Sequence, residues 1–192
     1  MLRTQFEEEL LNLHNQFYEM GMMVSSAVHK SVRSYIDHDK KLAQEVIDHD
    51  IEINDMEVRL EKKSFEMIAL QQPVTTDLRT IITIMKASSD LERMGDHAVS
   101  VAKSTIRLKG LPRILEVEKE INEMSNYVKK MVDNVLIAYV KTDEKDARMI
   151  AKMDERVNDY FQKIYDMTTN TMEKESCLLY TSDAADELDG VD

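Results

Sequence analysis

Apolar residues at Phe6, Leu10, Leu13, Phe17, Met20, Val24, Val28 and Val32 recur in alternating steps of three and four, the period of an amphipathic helix. One helix is therefore predicted from Arg3 to about Tyr35. Gly21 inside it costs about 1 kcal/mol relative to Ala and marks a close contact or a slight bend. Asp37, His38 and Asp39 break the pattern, and Asp39 suits the N-cap of a second helix from Lys40 to about Leu70. Pro73 ends that helix or opens the next, because it lacks a backbone donor and disfavours helix at the residue before it. A third helix is predicted from about Thr75 to Leu108, with Gly110 and Pro112 as stop and restart signals. Three long helices joined by short loops should lie antiparallel.

The pattern then repeats. Shifting the chain by 104 positions pairs Tyr35 with Tyr139, Asp39 with Asp143, Lys41 with Lys145 and Ala43 with Ala147. Asp50, Asn54 and Asp55 fall on Asp154, Asn158 and Asp159, while Val28, Val32, Val46 and Ile53 fall on Val132, Leu136, Ile150 and Val157. Amphipathic helices alone would reproduce the apolar matches but not the identical polar ones. The expected fold is all-α: two tandem antiparallel three-helix bundles, the second incomplete. Residues 1–110 form the first unit and 111–176 the first two helices of the second. From Cys177 onward the composition shifts to CLLYTSDAADELDGVD, without a basic residue or a helical stripe. Residues 177–192 are expected to be a non-native acidic tail following a truncation, with a natural acidic tail as the alternative. Without a sixth helix, Val132, Leu136, Ile150, Val157 and Phe161 should lie exposed and drive self-association into homo-oligomers.

Composition narrows the function classes. Four Gly, two Pro, no Trp and 32% charged residues favour long helices over sheets. A net charge of -12 without a basic stripe argues against nucleic acid as a partner. Cys177 is a lone cysteine, as fits a reducing compartment. No apolar run approaches the roughly 20 residues that span a bilayer, and the N-terminus has no signal-like apolar region. A cytoplasmic location is expected.

The candidate chemistry lies in carboxylates set among the hydrophobes. On the second helix the line Leu42, Val46, Asp50, Ile53, Glu57, Leu60, Ser64, Met67 carries Asp50 and Glu57, with Asn54 beside them. On the third, the line Leu78, Ile82, Met85, Ser89, Glu92, Asp96, Val99 places Glu92 and Asp96 one turn apart. A carboxylate withdrawn from water must be paired, protonated or bound to metal. Hard oxygen donors of this kind suit divalent or trivalent ions such as magnesium, manganese, iron or zinc. The competing reading is interhelical salt bridging, with Arg93 reaching Asp50 or Glu57. Asp90 is expected to be solvated or paired with Lys86, His97 to be a surface residue, and Met20, Met85 and Met131 to fill the core. No nucleophile array, phosphate-binding loop or cysteine-based zinc site is present.

The stretch Gln72 to Ala98, QPVTTDLRTIITIMKASSDLERMGDHA, resembles the signature of the PhoU family in its QP (Gln72, Pro73), DLR (Asp77, Leu78, Arg79) and ER-hydrophobic-GD (Glu92, Arg93, Met94, Gly95, Asp96) elements. HDIEINDMEVRLE, with Asp50, Asn54 and Glu57, is similar to the family's second-helix pattern. The resemblance covers Met1 to about Ser176. It implies two three-helix units, acidic metal sites and no enzyme activity. It also implies a cytoplasmic negative regulator acting on the phosphate ABC transporter and on the sensor histidine kinase of the phosphate regulon, reaching the membrane only through these partners. Carried over by position, Glu92 and Asp96 lead the ligand set. Asp50 and Asn54 come next, with Asp154 and Asn158 in the second unit. Phe161 stands where Glu57 stands in the first copy, so the second site departs from the pattern. The alternative is a metal-dependent carboxylate enzyme of the helical-bundle type, although Gly95, not His, follows Glu92 by three residues.

Overall fold

The computed structural model describes residues 2–108 and 113–174, all of them in helices or short connections. The elements are α1 (Leu2–Ile36), α2 (Lys40–Gln71), α3 (Thr75–Arg107), α4 (Leu115–Lys141), α5 (Glu144–Ala151) and α6 (Asp154–Lys174). The first three match the expected boundaries within one or two residues. Asp39 caps α2 as anticipated, its side chain accepting from the backbone N–H of Lys41 at 2.9 Å and of Leu42 at 3.1 Å. Asp143 repeats the device at α5, accepting from Asp146 N–H at 2.9 Å. Gln72 closes α2 in the left-handed conformation at φ 48°, directly before Pro73.

α1, α2 and α3 form an up-down-up bundle. Lys63 near the end of α2 pairs with Glu9 near the start of α1 at 2.9 Å, and Lys40 Nζ at the start of α2 donates to the Ile106 carbonyl at the end of α3 at 3.0 Å. Leu13, Phe17, Met20, Val24, Ile53, Leu60, Met67, Ile81, Ile84 and Leu91 form the core. A smaller layer of Ala43, Val46, Ala98 and Ala102 closes the far end.

The stripe on α3 differs from the expected one. Its buried line is Ile81, Ile84, Ser88, Leu91, Gly95, Ala98, Ala102 and Thr105, with Val99 alongside, whereas Ile82, Ser89 and Asp96 are exposed. Small residues on the true contact line let α2 and α3 approach, and a reading weighted toward large apolar side chains is drawn one position off.

α4 lies antiparallel across α1. Ser25 Oγ donates to Asp133 Oδ1 at 2.7 Å, and Tyr139 packs edge-on against Phe17 and hydrogen-bonds His14. At the other end Arg113 binds both oxygens of the buried Glu118 and donates to the Ile36 carbonyl at 2.8 Å. Gly21 is buried at this crossing, where a Cβ would sit 2.5 Å from Leu136 Cδ2. Val132 and Leu136 are consequently buried, 8% and 3% exposed, against α1. This corrects the expectation that both would lie open for want of a sixth helix. Phe161 is exposed and Ile150 and Val157 half-buried.

The second unit also departs from a single fifth helix. Where α2 runs unbroken, its counterpart divides into α5 and α6 at Lys152 and Met153, with Met153 N–H bonding Ile150 O at 2.9 Å. No Gly or Pro lies there. α2 is braced by both α1 and α3, whereas α4 is the principal neighbour of α5 among the described residues, and α5 buries none of its side chains. Helix continuity depends on such tertiary support. The expected acidic tail, residues 177–192, lies outside the described residues.

Candidate metal centre

Asp50, Asn54 and Glu57 project from successive turns of α2 and are half-buried. Gly95 of α3 faces them closely: an ideal Cβ there would lie in ordinary contact, 3.4 Å from Ile53 Cγ2 and 3.5 Å from Asp50 Oδ1. Asp50 thus rests against the α3 backbone. Asn54 Nδ2 donates to Asp50 Oδ2 at 3.4 Å, but Asp50 Oδ1 and Asn54 Oδ1 are buried without a hydrogen-bond partner among the described residues. Half-buried Glu92 and exposed Asp96 flank them from α3.

The electrostatics tie these groups together. Burial raises the pKa of Asp50, and the Asp96 carboxylate raises it further, against the Asn54 hydrogen bond and the more distant Lys103. Burial also raises Glu92, reinforced by Asp96, Glu57 and Asp50 and opposed by Arg93. Glu57 is raised by burial and by Glu61. Four carboxylates therefore share one strip of negative potential. The salt-bridge alternative finds no support: Arg93 pairs with Asp90 at 3.6 Å, and among the described residues no ion pair reaches Asp50, Glu57, Glu92 or Asp96. Asp90 is solvated, as one of the two expectations had it, and its ion-pair partner is Arg93, not Lys86. His97 is exposed, as anticipated. Lys103 was not singled out in the sequence, although it stands seven residues beyond Asp96 on the same face of α3.

The donor set suits a hard cation, being oxygen throughout, with two buried oxygens short of a partner. It is not a closed cage. Among the described residues no three Asp, Glu, His or Cys side chains converge tightly enough to hold an ion as they stand. In the second unit Asn158 Nδ2 donates to Asp154 Oδ2 at 3.4 Å, the same bond as in the first, but both residues are exposed. Nothing corresponding to α3 faces them among the described residues.

The sequence model of the PhoU domain matches residues 17–105 and again 121–188. The chain belongs to the PhoU family. It is 36% identical over 176 residues to the phosphate-specific transport system accessory protein PhoU homolog of Clostridium acetobutylicum, covering 91% of this chain and 80% of that one. A homolog of the same description from Pseudomonas aeruginosa is 34% identical over 173 residues, with 90% and 72% covered. The fold superposes on the crystal structure of PhoU from Pseudomonas aeruginosa with a TM-score of 0.84 at 33% identity, over 89% of this chain and 82% of that one. For the phosphate transport system regulatory protein PhoU of Streptococcus pneumoniae the TM-score is 0.81 at 29% identity, over 88% and 80%. PhoU relatives are thus accessory and regulatory proteins, not enzymes. The all-α reading from the sequence stands, and the carboxylate-enzyme alternative drops away.

Proposed function

We propose that this chain is a metal-binding negative regulator of phosphate uptake. It acts in the cytoplasm on components of the phosphate ABC transporter and on the sensor histidine kinase of the phosphate regulon. Its relatives' names support the link to phosphate transport. No helix among the described residues is long and apolar enough to cross a membrane; contact with the bilayer through these partners belongs to the same proposal. The kinase enters through the family resemblance alone.

The single observation behind the metal reading is the shared strip of carboxylates, in which Asp50 Oδ1 lies buried beside Gly95 with no hydrogen-bond donor among the described residues. Asp50, Asn54 and Glu57 from α2 and Glu92 and Asp96 from α3 would hold the ion. Iron, manganese, magnesium and zinc are all compatible with the donor chemistry. Asp154 and Asn158 form the half-site of the second unit. Bound cation supplies positive charge that relieves repulsion across the α2–α3 seam. It thereby favours one packing of the bundle, and a partner that prefers that packing is coupled to it.

Metal analysis of the full chain after chelation and reloading with manganese tests the reading. Glu92→Gln with Asp96→Asn should lose stoichiometric metal while circular dichroism reports unchanged helicity. Metal content equal to that of the parent, or an equal loss on Asp154→Asn alone, would refute assignment to the first unit.

A further inference from the structure

The α1–α4 crossing relates the two repeats by an approximate twofold, since contacts such as Gly21 with Leu136 and Ser25 with Asp133 are spaced about a centre near Ala27 and Met131, which are themselves 104 positions apart. Each flank of the crossing carries a cleft. On one side Tyr18, Ile137, Val140 and Lys141 help line a cleft of about 600 Å³. On the other, the repeat-equivalent positions are Asn122, Arg33, Ile36 and Asp37, which with His29 and Ser125 line a cleft of about 300 Å³. Tyr and Ile on one flank have been exchanged for Asn and Arg on the other. Packing explains the first set but does not require the second.

Two groups in the polar cleft lack partners. Ser125 is only 5% exposed, and its Oγ is buried without a hydrogen bond among the described residues, as is His29 Nδ1. Such groups are rare in native interiors unless something binds them. Arg33 makes only an exposed pair with Asp37 at 3.2 Å, an interaction of small worth. The neighbouring carboxylates are already neutralised. Asp133 is held by Lys129 at 2.6 Å and by Ser25, and Glu118 by Arg113. Water could satisfy the orphan atoms singly, but it does not account for a guanidinium and an amide standing, beside these two orphans, at the positions that Ile137 and Tyr18 occupy in the sister cleft.

We infer that this cleft is a binding site for a small tetrahedral oxyanion, gripped by Arg33, Asn122, Ser125 and His29. Arg33 supplies planar paired donors and Ser125 and Asn122 supply neutral ones, the mixture that suits three or four acceptor oxygens. The volume admits a phosphate-sized anion with water and excludes a nucleotide lying wholly inside it. Charge of -12 on the chain holds the affinity down, and added salt screens that repulsion as well as the local attraction to Arg33. The site is separate from the α2–α3 carboxylates and does not depend on the metal reading.

The test is a two-dimensional NMR titration of the full chain with sodium phosphate at fixed ionic strength, following the Asn122 amide, the Arg33 Nε–H and the backbone around Ser125. Saturable shifts confined to these groups are expected. Arg33→Gln and Ser125→Ala should each weaken binding roughly tenfold or more, the worth of one charge-assisted bond, and Arg148→Gln should have no effect. A phosphoserine peptide titrated in parallel separates the two sources of such an anion: tighter binding of the peptide assigns a phosphorylated partner, tighter binding of phosphate the free ion. Unsaturable shifts scattered over basic side chains, or unchanged affinity in Arg33→Gln and Ser125→Ala, would overturn the site. Glu92→Gln should bind phosphate normally; loss of binding there would place the anion on a cation held at the carboxylate seam instead and also overturn it.

Discussion

Gly21→Ala and Gly95→Ala are the same substitution in two helices, and the structure assigns them opposite signs. Alanine gains about 1 kcal/mol over glycine in a helix interior wherever there is room for the methyl group. At Gly95 there is room: the nearest atoms to a new Cβ are Ile53 Cγ2 at 3.4 Å and Asp50 Oδ1 at 3.5 Å, ordinary contacts. That variant should be neutral to about 1 kcal/mol more stable. At Gly21 the new Cβ would meet Leu136 Cδ2 at 2.5 Å and Cδ1 at 2.9 Å. Leu136 is 3% exposed and cannot swing away into solvent. Overpacking of this kind costs about 1–3 kcal/mol, against the same gain of about 1 kcal/mol from propensity, leaving a net loss of up to about 2 kcal/mol. Urea denaturation followed by circular dichroism reads both variants, the midpoint shifting in opposite directions. Leu136→Val should partly rescue Gly21→Ala but not affect Gly95→Ala, because only the first pair is in contact. Equal stabilisation by the two alanines would refute the contact of Gly21 with Leu136 at the α1–α4 crossing.

The raised pKa values of Asp50, Glu57 and Glu92 make a pH prediction with a definite sign. Each binds its proton more tightly folded than unfolded, so metal-free protein loses stability from these groups as pH rises from the ordinary carboxylate range through their raised values. Glu92→Gln should flatten that slope in thermal melts of chelated protein between about pH 4 and 7, and an identical slope in parent and variant would show the carboxylates to be uncoupled. Asp133 works in the opposite sense. Burial would raise its pKa, but Lys129 and Ser25 hold it below its usual value, so its contribution is lost on acidification and cancels in the comparison. Ser64 is fully buried and its Oγ has no partner among the described residues. Ser64→Ala should therefore be neutral or stabilising by up to about 1 kcal/mol, and a clear loss in the urea midpoint would reveal a hydrogen bond at that oxygen.

Much of the first unit was legible because its helices are long and their stripes are made of large side chains. Leu13, Phe17, Met20 and Val24 announced one face of α1, and Asp39 and Pro73 punctuated α2 by chemistry that acts locally. The α3 face was read one position off because Ser88, Gly95, Ala98 and Ala102 form its contact line and carry little hydrophobic signal. Asp50 and Glu57 were visible as charges on a buried stripe, but their relation to Glu92 and Asp96 is set by how far two helices rotate against each other, which no single helix encodes. Arg93 illustrates the same limit, since its neighbour in sequence is Glu92 and its ion-pair partner is Asp90. The break before α6 has no local signal in Lys152 or Met153. It reflects which neighbours the segment has. Val132 and Leu136 were recognised as apolar but assigned to the wrong neighbour, because the repeat pattern says what a unit contains and not which unit its outer face meets.

One helix serves both repeats. α1 supplies a wall of the first bundle through Leu13, Phe17 and Met20 and, from its other side, the seat on which Val132 and Leu136 of α4 rest. Duplication made the chain, yet the halves are no longer separable modules. A fragment beginning at α4 would uncover the residues that Gly21 was kept bare to receive, so whatever unsettles α1 is felt by both ends of the molecule at once.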